Sequence, residues 1–181
     1  LIMDPLSGRR AVVEEQIVLR DYSGGELMIS DILPAARIRT AGPGSDARFI
    51  RGDLEVVPLP GRVMQTDQPL FVYYEIYSLA KDRIGATDWE VAYSVAEAPD
   101  DAGLASRVYQ GLKSLVGAGE RRAVITSTVT GSGIRSAEHT YLEIDVGALE
   151  AGTYELTLRV RDRVSGQRTE GRLIFRTVPP R

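Results

Sequence analysis

The stretch Gly152-Thr153-Tyr154-Glu155-Leu156-Thr157-Leu158-Arg159-Val160-Arg161-Asp162 decides the fold class. Tyr154, Leu156, Leu158 and Val160 are apolar, and Glu155, Thr157, Arg159 and Arg161 stand between them. Side chains of an extended chain alternate between two faces. Strict alternation therefore means a strand with one buried face and one wet face, as in an antiparallel sheet. Trp89, Val91, Tyr93 and Val95 form a second such stripe, opposite Glu90, Ala92 and Ser94. Leu142, Ile144 and Val146 form a third, opposite Glu143 and Asp145. Strands are also expected over Val12–Arg20, Glu26–Leu33, Arg48–Val57, Leu70–Leu79, Arg122–Thr130 and Arg172–Val178. Roughly nine or ten strands separated by Gly, Pro, Asp and Ser clusters give an all-β chain, an immunoglobulin- or fibronectin-like antiparallel β-sandwich.

One segment departs from this period. Leu104, Val108, Leu112, Leu115 and Val116 recur at helical spacing between Gly103 and Gly117. They predict one short amphipathic helix, packed over an end or edge of the sandwich or presented to a partner.

The 181 residues suffice for one good-sized domain, or one domain and a fragment of another. A hydrophobic content of 43% against 26% charged fits a packed core rather than disorder. The net charge of −3, without a basic run, gives nucleic acid nothing to hold. No stretch approaches the ~20 apolar residues of a membrane helix. With no cysteine, disulfides, thiolate metal sites and cysteine nucleophiles are excluded.

Leu1-Ile2-Met3-Asp4 reads as the tail of a strand rather than a signal peptide, so a longer parent protein is expected. An internal repeat supports that expectation. Asp4-Pro5-Leu6-Ser7-Gly8-Arg9-Arg10 and Asp162-Arg163-Val164-Ser165-Gly166-Gln167-Arg168 share an Asp-x-x-Ser-Gly-x-Arg skeleton, each followed by an alternating run. Ser-Gly between strands is a hairpin signal, and long-period self-similarity marks tandem modules. Residues 1–22 are accordingly expected to be the closing hairpin of a preceding module or an N-terminal extension, and residues 23–181 the sandwich itself.

The sequence is poor in chemistry. His139 is the only histidine; it lies inside an alternating strand, and no Gly-x-Ser-x-Gly elbow is present. Gly131-Ser132-Gly133 is expected to be a turn. Asp100-Asp101 and the pair Asp82 and Asp88 are the best calcium candidates, and neither follows a known loop pattern. No phosphate loop and no dinucleotide fingerprint occurs, so no catalytic residue, cofactor or metal is expected. The strand Leu70–Leu79 is distinctive. Leu70, Val72, Tyr74 and Ile76 make one apolar face, and Phe71, Tyr73, Glu75, Tyr77 and Leu79 make an aromatic opposite face. Either the helix or the N-terminal strand covers that face, or it binds a partner. Phe71, Tyr73, Glu75 and Tyr77 are the candidate interaction residues.

Three stretches together carry a family resemblance. Leu27-Met28-Ile29-Ser30-Asp31-Ile32-Leu33-Pro34-Ala35, Val72-Tyr73-Tyr74-Glu75-Ile76-Tyr77-Ser78-Leu79, and Gly152-Thr153-Tyr154-Glu155-Leu156 with Asp162 and Ser165-Gly166 resemble, in order, segments of bacterial GWxTD-domain proteins. The motif that names that family does not occur here, so the likeness is to its β-rich C-terminal region. The resemblance implies a bacterial, exported protein and no particular reaction. The expected role is a non-catalytic structural or protein-interaction module, facing the periplasm or cell envelope. It would be a scaffold or accessory subunit of a larger assembly, membrane-bound assemblies included. The alternative is a carbohydrate- or ligand-binding sandwich that stacks a ligand on Tyr73, Tyr77 and Trp89. Exposure of Trp89 and Tyr77 separates the two.

Overall fold

The computed structural model describes residues 2–3, 10–11, 19–98 and 123–180. The strands among them are β1 (Ile2–Met3), β2 (Arg10–Ala11), β3 (Met28–Ile29), β4 (Leu33–Thr40), β5 (Ile50–Arg51), β6 (Leu54–Pro58) and β7 (Val63–Gln65). They continue as β8 (Leu70–Tyr77), β9 (Thr87–Glu97), β10 (Ile125–Gly133), β11 (Glu138–Ile144), β12 (Gly152–Asp162) and β13 (Arg168–Val178). The chain is all-β in these residues, with only two short 3-10 turns, Ala47–Phe49 and Pro60–Arg62. The helix expected over Leu104–Val116 and the acidic pair Asp100-Asp101 lie outside the described residues.

Two large sheets face one another in a sandwich-like arrangement. One has the order β10-β9-β12-β13-β7, antiparallel except for the parallel β13–β7 contact. The other runs β11-β8-β4-β6-β5, with β3 also paired to β8. The main core lies between them and takes the apolar residues of each alternating stripe. Leu70, Val72, Tyr74 and Ile76 come from β8, Val91 and Val95 from β9, and Leu142 and Ile144 from β11. Tyr154, Leu156, Leu158 and Val160 of β12 complete the layer. Burying a side chain of this size is worth about 1.5–3 kcal/mol. That gain is what fixes the register, since a one-residue slip would turn each stripe outward.

Several expectations are corrected in detail. The strand expected over Leu70–Leu79 ends at Tyr77, because Ser78 takes a positive φ of 62°. That turn sends Leu79 into the main core instead of the outer face. The strand expected over Glu26–Leu33 is only the two residues of β3, and a separate strand, β4, begins at Leu33. The stretch Arg48–Val57 is a hairpin, not one strand: Arg51 pairs with Leu54 around Gly52-Asp53. Gly131-Ser132-Gly133 is the end of β10 rather than a turn. Glycine is required at position 131 because the Trp89 ring lies against it: an added Cβ would sit 2.1 Å from Trp89 Cζ2.

The first pair of strands stands as a sheet of its own among the described residues. Ile2 pairs with Ala11 and Met3 with Arg10. Counted from Asp4 in one copy of the Asp-x-x-Ser-Gly-x-Arg skeleton and from Asp162 in the other, these pairs correspond to Val160 with Thr169 and Arg161 with Arg168. Those are the pairs that join β12 to β13. Residues 4–9, with the expected turn at Ser7-Gly8, lie outside the described set.

Candidate functional site

The outer face of β8 is closed by its own sheet. Phe71 pairs with Ala35 and Tyr73 with Leu33. Beyond Ala35 the ladder with β6 shifts register, between Ala35 and Arg37. This bulge resets the alternation of β4. Leu33 and Ala35, and then Ile38, all join a second small core with Val56, Leu54, Phe71 and Tyr73. Bulges strengthen twist and bend a strand. Here the far edge of the sheet comes round to the near one: Asp53, in the β5–β6 turn, meets His139 on β11. Tyr73 is thereby only 5% exposed. Tyr77 is half-buried under a stacked Tyr22, with ring centroids 4.5 Å apart.

Glu75 lies between the two tyrosines. Its Oε1 accepts the Tyr73 hydroxyl at 2.6 Å, and its Oε2 accepts the Tyr77 hydroxyl. Burial first, and then the bond to Glu75, raise the Tyr73 hydroxyl well above the ordinary phenol range. The same two causes push Tyr77 up to about 12. Both phenols stay protonated donors at any ordinary pH. The backbone of Glu75 is tied as well: its N–H donates to Ser30 Oγ and its carbonyl accepts from Ser30 N–H, each at 2.9 Å.

Beside this row lies an open cleft of about 310 Å³ between the β5–β6 turn and strands β8 and β11. Arg51, Tyr73, Glu75, Glu138 and His139 reach into its walls. His139 Nε2 stands 2.7 Å from Asp53 Oδ1. The Asp53 carboxyl is held below its ordinary value, chiefly by that bond. The imidazole also rests on Gly52, where φ is 62° and an added Cβ would lie 2.5 Å from the ring. Both the turn and the close approach require glycine there. The contact, made by His139 Nε2 and Asp53 Oδ1, joins the β5–β6 turn to β11.

Four other carboxylates among the described residues, Glu55, Asp82, Asp88 and Asp162, are used in similar ways. Glu55, 3% exposed, accepts from Arg39, Arg37 and Ser45 Oγ, and the Arg39 bond is the main cause holding it below the ordinary range. Asp82 accepts the N–H groups of Ile84 and Ala86, both at 2.9 Å, and so shapes its turn. Asp88 pairs with Arg163 at 3.3 Å. Asp162, fully buried, accepts from Ala80 N–H, Val164 N–H, Ser165 N–H and Ser165 Oγ. Among the described residues no three His, Asp or Glu side chains gather as metal ligands would.

The candidate residues on β8 do share one face, but as an internally bonded group rather than an open platform. Trp89 is 8% exposed and belongs to the main core, whereas Tyr73 belongs to the second one. The three aromatic side chains weighed for sugar stacking therefore share no surface. Sequence reading missed Asp53 and Gly52. The signal was a two-residue Gly-Asp loop between apolar runs, a recognised hairpin turn. No family model matches this chain, and no curated protein is similar to it.

Proposed function

We propose that this chain is a non-catalytic, immunoglobulin-like structural and protein-interaction module of a bacterial extracytoplasmic assembly. The observation that carries the reading is the use of its ionisable groups. His139 is held by Asp53 and Gly52, Glu75 by two tyrosines, Glu55 by two arginines and Asp162 by a hairpin. Function has to be argued from a site, and these groups serve scaffold contacts. The immunoglobulin-like assignment draws support from Tyr154. Its ring is buried and its hydroxyl donates to Glu150 O at 3.2 Å, four residues upstream, in the manner of a corner tyrosine. The likeness to GWxTD-domain proteins supports the bacterial, exported setting.

The test uses the intact chain as bait on membrane and periplasmic fractions, with His139→Gln beside it. The reading expects the same stoichiometric protein partner for both. Hydrolytic or transfer activity in the purified chain that His139→Gln abolishes would overturn it.

A further inference from the structure

Among the described residues β10 is an open sheet edge with none of the usual protections. Its residues Ile125–Gly133 run Ile-Thr-Ser-Thr-Val-Thr-Gly-Ser-Gly, without a charge or a proline. β9 pairs with it along its whole length. No strand among the described residues takes its other side. Unpaired N–H and C=O groups template a further strand, so native sheets blunt such edges with shortness, charge or proline. The other open stretches among the described residues follow that rule. β5 and β7 are two and three residues long. β11 carries Glu138, His139 and Glu143. The part of β13 not covered by β7 carries Arg168, Glu170 and Arg172, and the end of β4 carries Arg37 and Arg39.

We propose that β10 pairs antiparallel with β10 of a second copy of this chain, across a two-fold axis at Val129. The choice of occupant rests on charge. Self-pairing brings any charge near the axis close to its own like-signed copy, and β10 has none to oppose. The axis sets Thr128 opposite the second copy's Thr130, and Thr126 opposite its Ser132. All four of these side chains are exposed on the outer face. Thr–Thr and Thr–Ser pairs across strands are stabilising. On the inner face Val129, half-buried against the main core, gains cover from the second copy's Val129, and Ile125 comes opposite its Gly133. Closed two-fold dimers are the commonest oligomers, and this edge is self-complementary in the way they need. The pairing involves neither the β8 face nor the His139 contact, so it holds or fails apart from the function proposed above.

Analytical ultracentrifugation of the intact chain tests it. The expected result is a concentration-dependent species of twice the 19.8 kDa chain mass. Thr128→Glu combined with Thr130→Glu sets like charges opposite one another; it should give a monomer whose urea midpoint matches that of the wild type at concentrations where the wild-type dimer is dissociated. Thr128→Glu combined with Thr130→Lys sets unlike charges opposite one another and should keep the dimer. A wild-type chain that is monomeric at every concentration overturns the proposal and leaves the edge to an extended strand of another protein. A dimer that treats the two double replacements alike, kept in both or lost in both, overturns the two-fold pairing.

Discussion

Leu156 and Gly131 show how single residues hold the core, one by filling it and the other by leaving room. Leu156 is fully buried on β12, flanked in register by Leu173 and Val95. Leu156→Ala removes that volume where neighbours on both sides are fixed, and should cost about 2–5 kcal/mol in urea unfolding. A loss below about half a kcal/mol would contradict the packing, since even Ile→Val changes in cores typically cost that much. Gly131 is the opposite case. Gly131→Ala forces the indole of Trp89 to move, and overpacking of this kind should cost about 1–3 kcal/mol, with a change in Trp89 fluorescence. A variant as stable as the parent, with an unaltered spectrum, would place the ring elsewhere. Leu156 was legible from alternation alone. The need for glycine at 131 was not, because it arises from a ring on the neighbouring strand, opposite it in register.

At the scale of elements, the hairpin between β12 and β13 depends on Asp162. Burial alone would raise its pKa. The Ser165 hydroxyl and the N–H groups of Ala80, Val164 and Ser165 outweigh burial and lower it. A carboxyl whose folded pKa is depressed stabilises the fold fully above its unfolded pKa, near 3.9. That contribution is lost as pH falls through the folded value. Asp162→Asn should therefore cost about 1–3 kcal/mol at pH 7, as expected for upsetting a buried hydrogen-bonded group. The gap between wild type and variant should narrow as urea melts are taken below about pH 4. A gap that stays constant into acid would mean that Asp162 carries no depressed pKa. The Ser-Gly turn was legible in the sequence. The reach of Asp162 across to Ala80, which ties the hairpin to the β8–β9 connection, was not, since the two lie far apart in the chain. The curl of β4, β6 and β5 over the outer face of β8 was equally hidden. It depends on a bulge that shifts the alternation in mid-strand, and sequence reading treated the aromatic face as needing an outside cover.

For the whole molecule, the central claim is that the two-sheet unit closes its own core from about residue 26 onward, without needing residues 1–22. Sequence and register both favour this. The first Asp-x-x-Ser-Gly-x-Arg copy has the pairing of the second, yet β1 and β2 pair only with each other among the described residues. Leu19 is 88% exposed, whereas Thr177, at the corresponding place in the second copy, is 1% exposed. A two-stranded sheet is marginal in water and wants further strands to pack on. The described contact from this segment to the aromatic row is the stack of Tyr22 on Tyr77, a kind of contact worth about 0.5–1.5 kcal/mol. The most direct measurement is urea unfolding of the chain lacking residues 1–22, followed by fluorescence and hydrogen exchange together. The account predicts one cooperative transition, lowered by about the worth of that stack and of the exposed Arg20–Asp31 ion pair, with the amides of β8, β9 and β12 still protected. A truncated chain without a cooperative transition, or with those amides exchanging freely, would show that the first hairpin is an integral part of the fold.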